Sequence, residues 1–118
     1  MIVVASTLSL TVPDVMESSR FFTGALGFRE ELVIEGLVQL RRDDGAVDIE
    51  LCTGVAAAPN VIVSFVVTDL LVEYERLRST VPERGLTLRF DPWGEQSVRL
   101  IDPNGIVVRL VEWVQIPG

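Results

Sequence analysis

Apolar and polar residues alternate through the first dozen positions: Leu8, Leu10 and Val12 fall on one side, Thr7, Ser9 and Thr11 on the other. A period of two with β-branched residues predicts a strand over Val3 to Val12 that has one buried apolar face. Pro13 breaks it. Asp14 with Glu17 three residues on is a helix-opening signal. Val15, Ser18, Ser19, Phe22 and Leu26 then share one helical stripe, and Gly24 and Gly27 mark its end. Phe28 to Gly36 reads as a second strand. Gly36–Arg42 and Ala46–Cys52 read as a hairpin around Asp43, Asp44 and Gly45.

After a small, uncharged stretch the plan restarts. Val61 to Val67 is a strand, Asp69 an N-cap, and Leu70 to Ser79 a helix with Leu70, Tyr74 and Leu77 on one stripe. Leu86–Gly94, Gln96–Ile101 and Ile106–Val114 are three further strands. Asp102-Pro103-Asn104-Gly105 suits a type I turn with Pro in second place. Asp14 and Asp69 each close a strand and open a helix, and Gly45 and Gly105 each sit in a hairpin turn. The pattern is an α+β fold of two βαβββ modules. The expected boundaries are module one over about 1–53, a linker at 54–60 and module two over about 61–116 of a single domain.

At 118 residues with 48% hydrophobic and 23% charged positions, the chain has the makeup of a globular domain. Cys52 is the only cysteine, so no internal disulfide forms. The opening segment has no basic stretch and is too interrupted by Ser and Thr to cross a membrane. A cytoplasmic location is expected. The net charge of −7 argues against nucleic acid and anionic membrane surfaces as partners, and neither is expected. It favours cationic ligands or serves solubility alone. All ten cations are arginine, so no lysine is available for imine chemistry.

Three segments carry a resemblance: Leu8 to Phe28, with Val12-Pro13-Asp14, Phe21-Phe22 and Ala25-Leu26-Gly27-Phe28; Ser64 to Arg78; and Arg99 to Trp113, with Asp102-Pro103-Asn104-Gly105. Trp93-Gly94 precedes the penultimate strand. Together these resemble the vicinal oxygen chelate superfamily of glyoxalases, bleomycin-resistance proteins and extradiol dioxygenases. The resemblance spans roughly Thr7 to Trp113. It implies that the two modules form a curled mixed sheet around a concave cavity, and that the chain forms a homodimer. Whether the modules pair within one chain or swap between subunits stays open.

The resemblance also implies four metal-ligand positions, and they fall on Thr7, Glu50, Ile62 and Arg109. Only Glu50 is a ligand type that similar sequences use there, and the chain has no histidine. A hydroxyl, a hydrocarbon and a cation do not complete a site for a divalent ion. No metal and no cofactor are expected.

Strand alternation places Thr7, Ser9 and Thr11 on the cavity face, with Asp48, Glu50 and Cys52, then Ile62, Ser64 and Val66, then Val107, Arg109, Val111 and Trp113. The ligand-binding candidates are Thr7, Ser9, Glu50, Ile62, Ser64, Trp93, Arg109, Val111 and Trp113. Glu50 and Arg109 are expected to pair, since a buried carboxylate needs a partner; the alternative is separate hydration at the mouth. Trp93 and Trp113 either wall a pocket or pack at a strand end and a loop. Glu95 offers a further carboxylate to a cation. Tyr74 reads as core, Cys52 as an inert thiol, and Arg41 to Asp44 as a solvated turn.

These residues support a metal-free protein that sequesters a small organic ligand, cationic or aromatic in character. The alternative is a glyoxalase-like lyase or isomerase that uses Glu50 as its catalytic residue, with an atypical metal or none. A structural or regulatory module with a vestigial pocket is a third reading. Whether the chain is an enzyme stays open.

Overall fold

The computed structural model describes residues 1–45, 47–55, 61–81, 85–92 and 94–113. It divides into two compact units, Met1–Pro59 and Asn60–Gly118. Most of the expected linker, residues 56–60, lies outside the described residues, as does the end of module two beyond 113.

Unit 1 runs β1 (Thr7–Val12), α1 (Val15–Leu26), β2 (Arg29–Ile34), β3 (Leu37–Arg41) and β4 (Asp48–Thr53). Unit 2 repeats the order with β5 (Ile62–Val66), α2 (Leu70–Arg78), β6 (Leu86–Phe90), β7 (Glu95–Ile101) and β8 (Val107–Trp113). Each unit is a four-stranded mixed sheet, ordered β1-β4-β3-β2 or β5-β8-β7-β6. In both, the first strand lies parallel to the last and the remaining pairs are antiparallel. This is the expected α+β arrangement of two βαβββ modules.

One phase of the strand alternation builds each core. In unit 1, Leu10, Val12, Val38, Leu40, Ile49 and Leu51 are buried together with Val15, Phe22 and Leu26 of α1. Phe22 and Phe28 meet edge to face, with ring centroids 5.7 Å apart. In unit 2, Val98, Leu100, Val108 and Leu110 are buried with Leu70 and Leu77 of α2. Each such side chain contributes roughly 1.5–3 kcal/mol by leaving water. Tyr74 is only half-buried, with the Arg78 guanidinium 6.0 Å from its ring centroid. Leu70 and Leu77 are the fully buried positions of the stripe, so Tyr74 is not a full core residue.

The helix ends show where local sequence signals hold. Asp14 Oδ1 accepts from the amides of Met16 (3.1 Å) and Glu17 (3.2 Å), as the capping signal predicts. Gly27 closes α1 in the left-handed region at φ 71°, whereas Gly24 sits inside the helix and does not end it. Asp69 departs from expectation. Its backbone is left-handed (φ 54°, ψ 51°) and its side chain caps nothing. A capping side chain works from extended backbone, which Asp69 lacks. The carboxylate of Glu112 takes its place, accepting from the amides of Asp69 (2.8 Å) and Leu70 (3.1 Å).

Two further expectations are refined. Strand β1 begins at Thr7 rather than Val3, because Met1 to Ser6 are exposed and the pairing with β4 starts at Asp48. The tip of the β3–β4 hairpin is tied down rather than merely solvated. Arg42 grips Asp44 with two hydrogen bonds (2.8 and 2.9 Å) and donates to the carbonyl of Leu26, at the end of α1. Asp43 meets Arg29 at 2.5 Å. The Asp102–Gly105 turn forms as predicted: Gly105 N–H donates to the Asp102 carbonyl (3.0 Å), and the buried Asp102 carboxylate accepts from Asn104 (3.0 Å) and Ile106 (2.7 Å).

Candidate functional site

The second phase of the alternation leaves one open face on each sheet, away from its helix. In unit 1, β1 lies beside β4 so that Thr7 faces Asp48, Ser9 faces Glu50 and Thr11 faces Cys52. Strand β3 adds Gln39 opposite Glu50. One row across the sheet therefore reads Ser9, Glu50, Gln39.

Glu50 is the hub of that row. Its carboxylate accepts from Ser9 Oγ (3.2 Å), Gln39 Nε2 (3.4 Å) and Cys52 Sγ (3.5 Å). Within the unit, no arginine forms an ion pair with it among the described residues. Three neutral donors orient the half-buried carboxylate and leave its charge uncompensated on its own sheet. Gln39 was not anticipated, although the hairpin turn around Asp43–Gly45 sets the register that brings it there. Burial, then the hydrogen bond to Glu50, pushes the Cys52 thiol up from its ordinary pKa. That keeps the sulfur protonated and inert, in line with the sequence reading.

In unit 2 the corresponding row is Ser64, Arg109, Arg99. The rows to either side are Ile62, Val107, Ile101 and Val66, Val111, Ser97. Trp113 faces Glu95 at the end of the pair and is 58% exposed. Trp93 lies outside the described residues.

The sequence pairs Arg109 with Glu50; the structure gives Arg109 a carboxylate on its own sheet. Arg109 Nη2 donates to Glu95 Oε1 at 2.7 Å. Glu95 is therefore a buried counter-ion and not an open site for a cation. The bond spans two rows, because Arg109 faces Arg99 while Glu95 faces Trp113. Its path crosses the Val111–Ser97 row, and both residues are buried despite lying on the open face. Arg109 Nε is also shielded from water and has no acceptor among the described residues.

Thr7, Ser9 and Glu50 thus gather on the sheet of unit 1. Ile62, Ser64, Arg109, Val111 and Trp113 gather on that of unit 2. Among the described residues, no group of three or more carboxylate, thiol or imidazole side chains converges as metal ligands would. The four positions implied by resemblance supply a hydroxyl, a carboxylate already engaged by three donors, a hydrocarbon and a guanidinium bound to Glu95. Such a donor set does not fit a divalent ion. No helix among the described residues is long and apolar enough to cross a membrane.

No protein-family model matches the sequence, and no curated protein matches it significantly. Similarity emerges at the level of structure. A glyoxalase/bleomycin resistance protein/dioxygenase from Nocardioides superposes with a TM-score of 0.73 at 19% identity, covering 100% of this chain and 89% of that one. An antibiotic binding protein from Streptomyces sp. CB03234 gives 0.75 at 20% identity, covering 96% and 98%. A bleomycin-binding protein from Streptomyces verticillus, solved with copper(II)-bleomycin, gives 0.74 at 21% identity, covering 93% and 96%. Near-complete coverage at such low identity fixes an architecture and not an activity: this chain has the fold of the glyoxalase/bleomycin resistance/dioxygenase superfamily.

Proposed function

We propose that the protein is a metal-free small-molecule binding protein that sequesters an organic ligand of cationic or aromatic character. The observation that carries this is Glu50, a carboxylate oriented by three neutral donors without a cation on its own sheet. A ligand ammonium or amidinium group supplies the missing charge, and the net charge of −7 draws such ligands in. Thr7 and Ser9 add hydroxyls beside it. Ile62, Ser64, Val111 and Arg109 line the second open face, where Trp113, and Trp93 by sequence, supply aromatic surface. Two structural neighbours are described as binding an antibiotic or bleomycin, which agrees with sequestration.

The same proposal places the protein in the cytoplasm, without nucleic-acid or membrane partners, as a homodimer. Exposed Leu32, Val33 and Ile34 on the edge strand β2 offer apolar surface for a second copy. Light scattering on a sizing column reads the mass directly.

The test of the binding role is calorimetry against a panel of cationic aromatic compounds, with metal analysis of the same sample. Saturable binding that Glu50→Gln weakens at least tenfold, in protein free of bound metal, is the expected result. A stoichiometric divalent metal, or binding indifferent to Glu50→Gln, overturns the proposal.

A further inference from the structure

Four strands lay one continuous row across the open face of unit 1: Ser9 on β1, Glu50 on β4, Gln39 on β3 and Leu32 on β2. The row beside it holds Thr11, Cys52, Leu37 and Ile34. In both rows the β1 and β4 side is polar and the β2 side is apolar. Leu32 is 42% and Ile34 55% exposed. The cations at the far end of β2 and β3 are already held. Arg41 lies 3.9 Å from Asp48, and Arg29 is paired with Glu31 and Asp43. Neither bonds Glu50.

The hydrogen bonds of the row leave two oxygens open. A carboxylate offers roughly four lone-pair sites. Glu50 Oε1 uses two of them, on Ser9 Oγ and Cys52 Sγ. Oε2 has Gln39 Nε2 alone, at 3.4 Å. Because a carboxylate only accepts, Gln39 must turn its amide nitrogen to Glu50. Its own Oε1 has no hydrogen-bond partner among the described residues, yet it is not sealed from solvent. It is open to an incoming donor. The two acceptors sit on strands about 4.8 Å apart, a spacing that suits two N–H bonds of one nitrogen. A quaternary ammonium has no N–H and leaves both acceptors unmet.

We infer that the Glu50 site selects an organic cation with two N–H bonds on one nitrogen, a primary ammonium or amidinium, over a quaternary ammonium. One N–H meets Glu50 Oε2 and the other meets Gln39 Oε1. The apolar body of the ligand crosses β3 and lies on Leu32 and Ile34. From β4 to β2 is two strand spacings, about 9.5 Å. A two-ring arylmethylamine covers that span and a one-ring amine does not. The inference rests on the reading of Glu50 as a cation-binding carboxylate and adds what kind of cation it takes.

The test is calorimetry with 4-phenylbenzylamine, its N,N,N-trimethyl analogue and benzylamine, on the full chain, Glu50→Gln, Gln39→Leu and Leu32→Ser. Gln39 and Leu32 lie outside the buried core, so both variants are expected to fold, and the amine-to-trimethyl comparison needs neither. The two-ring amine is expected to bind at least about tenfold tighter than its trimethyl analogue. Gln39→Leu is expected to bring that ratio close to one. Leu32→Ser is expected to weaken the two-ring amine about fivefold and to leave benzylamine unchanged. A ratio that Gln39→Leu does not move, or a Leu32→Ser loss shared equally by benzylamine, overturns the inference. Trimethyl binding as tight as amine binding, with Glu50→Gln weakening both, overturns it and leaves the binding role standing. No binding of either two-ring probe overturns this inference alone, because the binding role is read from the wider panel. Binding that ignores Glu50→Gln overturns both.

Discussion

The third residue of β4 is Glu50 and the third residue of β8 is Arg109. Each has a serine beside it on the parallel strand, Ser9 in one unit and Ser64 in the other. The antiparallel neighbour is Gln39 in unit 1 and Arg99 in unit 2. The two units share strand order and the parallel or antiparallel sense of each pairing, yet carry opposite charge at the same address. The side facing the helix is apolar in both, because slipping any strand by one residue would turn its whole apolar set to water. The open side is free of that constraint, and there the units diverge. Topology is fixed by one phase of the alternation; chemistry is carried by the other.

The sharpest way to break this comparison is to neutralise the carboxylate in each unit. Glu95→Gln strips the counter-ion from a partly buried guanidinium and is expected to destabilise the protein by about 2 kcal/mol. Glu50→Gln removes a carboxylate held by neutral donors and is expected to shift stability by less than about 0.5 kcal/mol. Urea denaturation of both variants reads the difference. Equal losses would mean that Glu50 has a cationic partner after all.

The helix caps give the next largest contrast. Asp14 caps α1 from its own backbone, whereas α2 is capped by Glu112 from β8. Asp14→Ala and Glu112→Ala are each expected to cost about 1 kcal/mol. Asp69→Gly is expected to be neutral or stabilising by up to about 1 kcal/mol, because glycine tolerates a φ of 54° without strain. Thermal melting of the three variants checks the ranking. A loss at Asp69→Gly as large as that at Asp14→Ala would restore Asp69 as the working cap.

These contrasts also mark how much of the molecule was legible. Interactions closed within a few residues were readable: the Asp14 cap, the Asp102–Gly105 turn, and the alternation that assigns each strand residue to a face. Interactions that depend on where a long side chain travels were not. Arg109 reaches Glu95 across an intervening row, and Glu112 reaches the start of α2 from another strand. The turn at Asp102–Gly105 does carry a usable signal. It sets the β7–β8 register, which puts Glu95, Arg99 and Arg109 on one face. Alternation alone does not say that Arg109 turns toward Glu95. On the unit 1 side, Ser9 beside Glu50 was readable from alternation, while Gln39 required the register of the β3–β4 hairpin.

The smallest expected effect tests Glu50 from its other side. The Cys52 thiol lies above its ordinary pKa, first through burial and then through Glu50. A raised thiol pKa stabilises the fold while pH is below the ordinary thiol value, and that contribution is lost as pH rises through the folded value. At pH 8, alkylation of native protein by iodoacetamide is expected to run slower than that of the unfolded chain. Glu50→Gln removes the neighbouring negative charge and the hydrogen bond, so it is expected to speed alkylation. The rate stays below the unfolded one, because burial is the larger cause and remains. Native alkylation unchanged by Glu50→Gln would show that burial alone sets the thiol, and that the 3.5 Å Cys52–Glu50 contact has no electrostatic weight. Alkylation in Glu50→Gln as fast as in the unfolded chain would instead make Glu50 the dominant influence.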